Sequence, residues 1–492
     1  MSQTNDKSIL DHASALLTEG RLSESATLAS QVLARNPNDL AALHVMGLIE
    51  LRAQKLPEAH RRFERVAQLA PEDPDAAAIL GQVCLQRQMP AAAITALDSA
   101  ASGYDRWIKQ QRGGDAARSQ IPKVQRRLLN ILIQLASLHG PGGDWPRAAA
   151  RLAEAIELCR LLKDERQYND CVSMKADADM VSEIITLRPN AALPVDTTQW
   201  RDDWERSAAS IIGAAGAILR DASLGIVFFH VDAGDRHPFL QGAPTEHLQI
   251  GYGETLALAC RAARAASPGA RILLLTDEHT AVNAADVDAV ARLPLDRDLM
   301  MHSRMRAYRA AVMSGIMSGP ALFLDTDISL RKDFVPVFDG SFDVGLTYRA
   351  MLTQTHMPLN EGVILADLRR PSSVASGFGQ WLALYDWMAT LSCPLQRYGF
   401  DIRKWRGGQL SLAAFADWRV PPYAPDVRDI NGVRCRFFPC DTFNFAVKSA
   451  SAETLAAMSD KWAFHFKGAH AKETMRRVAS MAAVQSAMPS AS

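Results

Sequence analysis

The chain has 492 residues, 54 Lys and Arg against 54 Asp and Glu, and 48% hydrophobic residues. That length exceeds one ordinary hydrophobic core and predicts two or three domains, each able to bury a sizeable core. A formal charge of zero excludes partners chosen by bulk positive charge, such as nucleic acid or an anionic membrane surface. The seven cysteines are odd in number and offer no paired Cys-x-x-Cys, which points to reduced thiols rather than a zinc site or disulfide framework. The start, Met1 to Asp6, is polar and lacks the apolar stretch of a secretory signal, and the Ala- and Gly-rich run Ile211 to Leu219 is too short to span a bilayer. The expectation is a soluble, cytoplasmic protein without a transmembrane segment.

Residues 1–190 carry an internal repeat. Pro37 and Pro71, Gly47 and Gly81, and Ala59 and Ala93 each stand 34 residues apart. Small residues at a fixed register let paired helices approach closely, and proline closes the second helix of each pair. This region resembles tetratricopeptide repeats. A degenerate first repeat runs from Ile9 to Pro37, followed by Leu43 to Pro71 and Ala77 to Ala100. A fourth is expected around Gly143, Ala148, Leu152 and Ala155, after an insertion holding the polar Gln110 to Asp115 loop. Such arrays bind a peptide, a protein or a second copy of themselves.

After Pro189 the texture changes. Residues 191–224 read as a linker, Leu193-Pro194-Val195-Asp196 included, and then a helix over Trp200 to Leu219. From Gly225 strands alternate with helices: a strand over Gly225 to Val231, a helix over Glu254 to Ala266, a strand over Arg271 to Leu275, and a helix over Ser303 to Ser318. This pattern predicts an α/β layered domain over residues 225–475 with a largely parallel sheet. The Ala-, Ser- and Met-rich tail, residues 476–492, is expected to be flexible.

The chemistry is expected in that domain. Ala321-Leu322-Phe323-Leu324 reads as a strand buried on both faces and runs straight into Asp325-Thr326-Asp327. Ligands of open α/β sheets sit at strand carboxyl ends, and two carboxylates suit a hard divalent cation, Mn²⁺ or Mg²⁺. Two later segments accompany these acids: Asn360-Glu361-Gly362-Val363, leading into a strand over Gly362 to Ala366, and His465-Phe466-Lys467-Gly468.

Together these motifs resemble nucleotide-sugar glycosyltransferases of the GT-A fold, closest to glycosyltransferase family 8. The resemblance implies an N-terminal helical solenoid followed by a GT-A-like α/β/α nucleotide-diphospho-sugar transferase domain. It implies Asp325, Asp327 and His465 as ligands of Mn²⁺, which carries the diphosphate of a nucleoside-diphosphate sugar, and Asn360 and Gly362 beneath the donor sugar. Gly468 closes the His-x-x-Gly segment, and Lys467 or Lys472 contacts phosphate, the family lysine position itself being Ala471. Gln409 falls in a sugar-facing Asp-Gln pair whose Asp is here Gly408. An arginine of the helix before the metal strand, Arg306 or Arg309, binds phosphate oxygens, and Asp232 touches base or ribose. The resemblance further implies a retaining transfer, with no side chain as covalent nucleophile. Two rivals are weighed: a tetratricopeptide scaffold with an inactive transferase domain, and a haloacid-dehalogenase-like phosphatase, whose first motif is also Asp-x-Asp after a strand.

Overall fold

The computed structural model describes residues 2–111, 119–188, 201–216, 219–232, 252–349, 356–391, 395–403, 406–447, 450–467 and 471–479. Gly468, the linker segment 193–196, the end of the Gln110 to Asp115 loop and the tail from residue 480 lie outside them. The chain divides into two compact units, Met1–Ser182 and Glu183–Ser492.

The first unit is a succession of antiparallel helices: α1 (Ser2–Thr18), α2 (Leu22–Arg35), α3 (Leu40–Arg52), α4 (Leu56–Leu69), α5 (Pro74–Gln86), α6 (Pro90–Gln110), α7 (Ile121–His139), α8 (Trp145–Leu162) and α9 (Glu165–Leu187), the division between units falling inside α9. The 34-residue period has a steric cause. A Cβ on Gly47 in α3 would stand 2.9 Å from the Phe63 ring in α4, and one on Gly81 in α5 would stand 2.7 Å from Leu97 in α6. The same period fixes helix starts, because the carboxylates of Asp39 and Asp73 accept backbone N–H bonds at the first turns of α3 and α5. Ala148, Leu152 and Ala155 are buried on α8, which pairs with α7 as a fourth hairpin.

The second unit is built on an eight-stranded sheet of order β3-β2-β1-β4-β7-β6-β9-β8. Its strands are β1 (Leu224–Phe229), β2 (Ala270–Thr276), β3 (Ala289–Arg292), β4 (Pro320–Leu324), β6 (Val344–Tyr348), β7 (Leu359–Asp367), β8 (Val427–Ile430) and β9 (Val433–Pro439). The sheet is mixed, with β7 and β8 running against the other six strands. The half formed by β3, β2, β1 and β4 is parallel, whereas β7 runs antiparallel to both β4 and β6.

The continuous apolar run of β4 follows from cover on both faces. Leu322 and Leu324 join a core with Leu256 and Ala259 of α11 (Tyr252–Ala266), while Phe323 packs at 4.8 Å on Tyr308 of α12 (Met300–Met313) and at 5.1 Å on Phe378 of α13 (Pro371–Thr390). The expected helix before the domain is α10 (Asp203–Ala214), which packs on α12. A second, three-stranded sheet joins β5 (Ile328–Leu330), β11 (Ala463–His465) and β10 (Phe445–Ala446). Among the described residues no helix is long and apolar enough to cross a membrane.

Candidate metal centre

The two sheets meet at the Asp-x-Asp segment. Asp325 and Asp327 occupy the turn between β4 and β5, and the antiparallel pairing of β11 with β5 sets His465 opposite Ile328, one residue past Asp327. The backbone N–H of Asp325 donates to Gly362 O at 3.0 Å, and that of Phe466 donates to Asp327 O at 3.0 Å. Asp325, Asp327 and His465 therefore converge although 140 residues separate the first from the last, each offering one ligand atom within 4.8 Å of the others. His465 Nε2 lies 3.2 Å from Asp327 Oδ1 and 3.8 Å from Asp325 Oδ2. Gly362 on β7 is pressed against this cluster. A Cβ there would be 2.6 Å from His465 Cε1 and 3.0 Å from Asp325 Oδ2.

The tautomer of His465 follows from its network. Thr347 Oγ1 donates its only proton to Asn360 O at 2.8 Å, so it accepts from Asn444 Nδ2 at 2.9 Å. That orientation turns Asn444 Oδ1 toward His465 Nδ1 at 2.9 Å, and an amide oxygen only accepts. His465 Nδ1 therefore carries a proton, and Nε2, which turns toward the two carboxylates, is the nitrogen whose lone pair the neutral imidazole would offer a cation. Two carboxylates and a correctly presented imidazole fit a divalent cation such as Mn²⁺.

Around the cluster the charges alternate. Arg304 on α12 is buried, donating from Nη1 to Asp325 Oδ1 at 2.7 Å, with Nη2 2.7 Å from Glu361 Oε2. Burial alone would lower the pKa of Arg304, but Glu361 and Asp325 together raise it, so the guanidinium stays charged. Burial pushes the Glu361 carboxyl up to about 7, a rise that Arg304 opposes. Lys472, on helix 471–479, is buried; burial lowers its pKa, and Asp327 and Asp325 oppose that fall.

The other expected residues fall as follows. Asn360 is buried and its Oδ1 accepts from Gly362 N at 3.0 Å, where β7 shifts register against β6 beside the cluster. Gln409 lies in the first turn of α14 (Arg406–Phe415), its Oε1 accepting from Arg349 Nη2 at 2.9 Å. Asp232 lies exposed past β1, its backbone N–H donating to Thr280 Oγ1 at 2.8 Å.

Arg306 and Arg309 are a correction. Arg309 is fully buried against Glu205 of α10, and Arg306 pairs with Asp202 and stacks 4.3 Å above the Trp204 ring. Both sit on the α12 face that meets α10. Arg304, two residues earlier and so on a different helix face, is the arginine that reaches the cluster. Sequence reading also passed over Arg349, Thr347, Glu361 and Asn444. For Arg304 a signal existed, since it interrupts the apolar positions Met301, Met305, Tyr308 and Val312. Asn444, between two phenylalanines, carries none.

Comparison with known proteins bears on the first unit. Residues 10–59 and 44–106 match the family described as Tetratricopeptide repeat, so this stretch of the chain is a tetratricopeptide repeat array. No curated protein matches the chain significantly. Among solved structures, three likenesses are remote. MamA is 14% identical with a TM-score of 0.26, over 39% of this chain and 99% of that one. A Thermobaculum terrenum O-GlcNAc transferase mutant is 14% identical with a TM-score of 0.25, over 66% and 50%. A glycosyltransferase involved in glycosylation of the major capsid of PBCV-1 is 12% identical with a TM-score of 0.29, over 51% and 98%.

Proposed function

We propose that the second unit is a metal-dependent glycosyltransferase of GT-A type, similar to family 8, which moves a sugar from a nucleoside-diphosphate sugar to an acceptor with retention of configuration. The observation that carries this reading is the convergence of Asp325, Asp327 and His465, with Nε2 of the imidazole presented and Gly362 closing in from below. When bound, Mn²⁺ or Mg²⁺ would neutralise the diphosphate and favour its departure.

The chain's own residues do the rest. Asn444 holds His465 in the ligating tautomer, and Arg304 holds Asp325 from the side away from His465. Lys472, its positive charge beside Asp327, stands ready for a phosphate oxygen. Asn360 and the side-chain-free Gly362 form a polar floor that a sugar ring can approach closely. The tetratricopeptide array is the protein-binding part, recruiting the acceptor or a partner. Its helices also line a cleft of about 270 Å³ that includes Asn38, Leu43, Glu50, Arg62 and Arg65.

The test is turnover. Full-length protein is incubated with Mn²⁺ and a panel of nucleoside-diphosphate sugars, and release of nucleoside diphosphate by transfer of the sugar to water is followed for wild type and Asp325→Asn. Release from one donor, lost in the variant and on chelation, is the expected result. A folded, Mn²⁺-supplied protein that cleaves none of the donors, yet still captures a protein through its repeats, would favour the scaffold. Three strands, β1 to β3, precede the Asp-x-Asp strand in the same sheet, which speaks against the phosphatase rival, whose nucleophile strand opens its domain.

A further inference from the structure

Glu361 and Gly408 occupy one space. Gly408 stands in the first turn of α14, and a Cβ built on it would lie 2.5 Å from Glu361 Oε2 and 3.1 Å from Oε1. Glu361, in β7, is 3% exposed, and its Oε2 has no hydrogen bond of good geometry although Arg304 Nη2 is 2.7 Å away. A buried carboxylate is costly and needs a charged partner. Its partner, Arg304, is the same guanidinium that grips Asp325 Oδ1. The three side chains thus form one line: Glu361, Arg304, Asp325.

We propose that Glu361 is a positioning residue of the metal centre, acting on Asp325 through Arg304, and that positions 361 and 408 share a single carboxylate space. The carboxylate absent from position 408 is thereby supplied from β7. With Glu361 in place, the charge of Arg304 is divided between two carboxylates, and Asp325 Oδ2 stays turned toward His465. Without Glu361 the whole guanidinium charge falls on Asp325 and competes with a cation for its oxygens. A side chain at 408 is tolerated only when 361 is small, because the two would otherwise collide and, for an aspartate, repel. This proposal rests on the metal-centre reading above.

The test titrates MnCl₂ alone, by calorimetry, into the full chain and into Glu361→Gln, Glu361→Ala, Gly408→Asp and the double variant Glu361→Ala/Gly408→Asp, with melting temperatures measured alongside. Glu361→Gln and Glu361→Ala are expected to weaken Mn²⁺ binding by about tenfold or more. Gly408→Asp is expected to melt below wild type. The double variant is expected to melt above Gly408→Asp and to recover Mn²⁺ affinity to within about threefold of wild type, the recovery that a mere packing role for Glu361 would not give. Wild-type affinity in both Glu361 variants would overturn the positioning role and leave the metal centre standing. A double variant that melts no higher than Gly408→Asp would overturn the shared space. Absence of Mn²⁺ binding by wild type would instead defeat the metal-centre reading, and the positioning role with it.

Discussion

In the repeat unit the ion pairs are exposed or half-buried, whereas in the α/β unit two, Arg309–Glu205 and Arg304–Glu361, lie inside among the described residues. Arg106 and Glu72 pair with side chains 53% and 76% exposed; Arg309 and Glu205 pair with both side chains fully buried. Glycines differ in the same way. Gly81 makes room for Leu97, one apolar side chain of the partner helix, while Gly362 makes room for the His465 ring and the Asp325 carboxylate. The repeat unit is held by a periodic apolar seam, and its charges lie toward the surface. The α/β unit carries buried charge as well, and there each charge is matched by another, Arg309 by Glu205 and Arg304 by Glu361 and Asp325.

The largest effect separating the two units is expected from Glu205→Gln, which takes the fully buried Glu205 charge away from Arg309. The loss is about 3–5 kcal/mol in urea unfolding. A loss below about 1 kcal/mol would mean that the buried pair is not a charge pair. Next comes Gly362→Ala, whose methyl group has no space beside His465 and Asp325. Mn²⁺ affinity should fall at least about 100-fold, roughly 2.7 kcal/mol. Its counterpart in the repeat unit, Gly81→Ala, should cost about 1–3 kcal/mol of stability by overpacking against Leu97 and leave Mn²⁺ affinity unchanged.

Smaller again is the acid sensitivity of the α/β sheet. Burial opposes ionisation of Asp343, but bonds from Arg434, Ser373 and Arg370 prevail and lower its carboxyl from 3.8 to about 2. A carboxylate whose folded pKa is depressed stabilises above its unfolded pKa and loses that contribution as pH falls through the folded one. The stability gap between wild type and Asp343→Asn should therefore narrow by about 1–2 kcal/mol between pH 5 and pH 2, the lower end reflecting the partly exposed arginines. A gap independent of pH would remove Asp343 from the account. The smallest effect belongs to Glu72→Gln, under about 0.5 kcal/mol, since both partners are solvated.

Legibility in the sequence followed the same division. The 34-residue period was readable because each repeat makes the same short-range contacts, so Pro37 and Pro71 or Gly47 and Gly81 mark equivalent places. In the α/β unit the strand before Asp325 was readable from its unbroken apolar run, which only a strand covered on both faces can bury. The mixed sense of the sheet was not, because a strand such as β7 shows its burial but not its direction. Arg304 was missed in favour of Arg306 and Arg309 because spacing names a helix face without saying what that face meets; α10 covers theirs. Asn444 and Glu361 act through partners 21 and 57 residues away, His465 and Arg304, and no local pattern announces such pairings. The role of Gly408 became visible only when the Glu361 carboxylate was found in the space a side chain there would need.

The central claim, that Asp325, Asp327 and His465 hold a cation for a nucleoside diphosphate, is tested most directly by calorimetric titration of nucleoside diphosphates into the full chain with and without Mn²⁺, alongside Asp325→Ala and Asp327→Ala. The account predicts that at least one nucleotide binds only with Mn²⁺ and that both variants lose this binding while remaining folded. Failure of every nucleotide to bind the folded, Mn²⁺-supplied protein, or binding that persists without metal and in both variants, would contradict it.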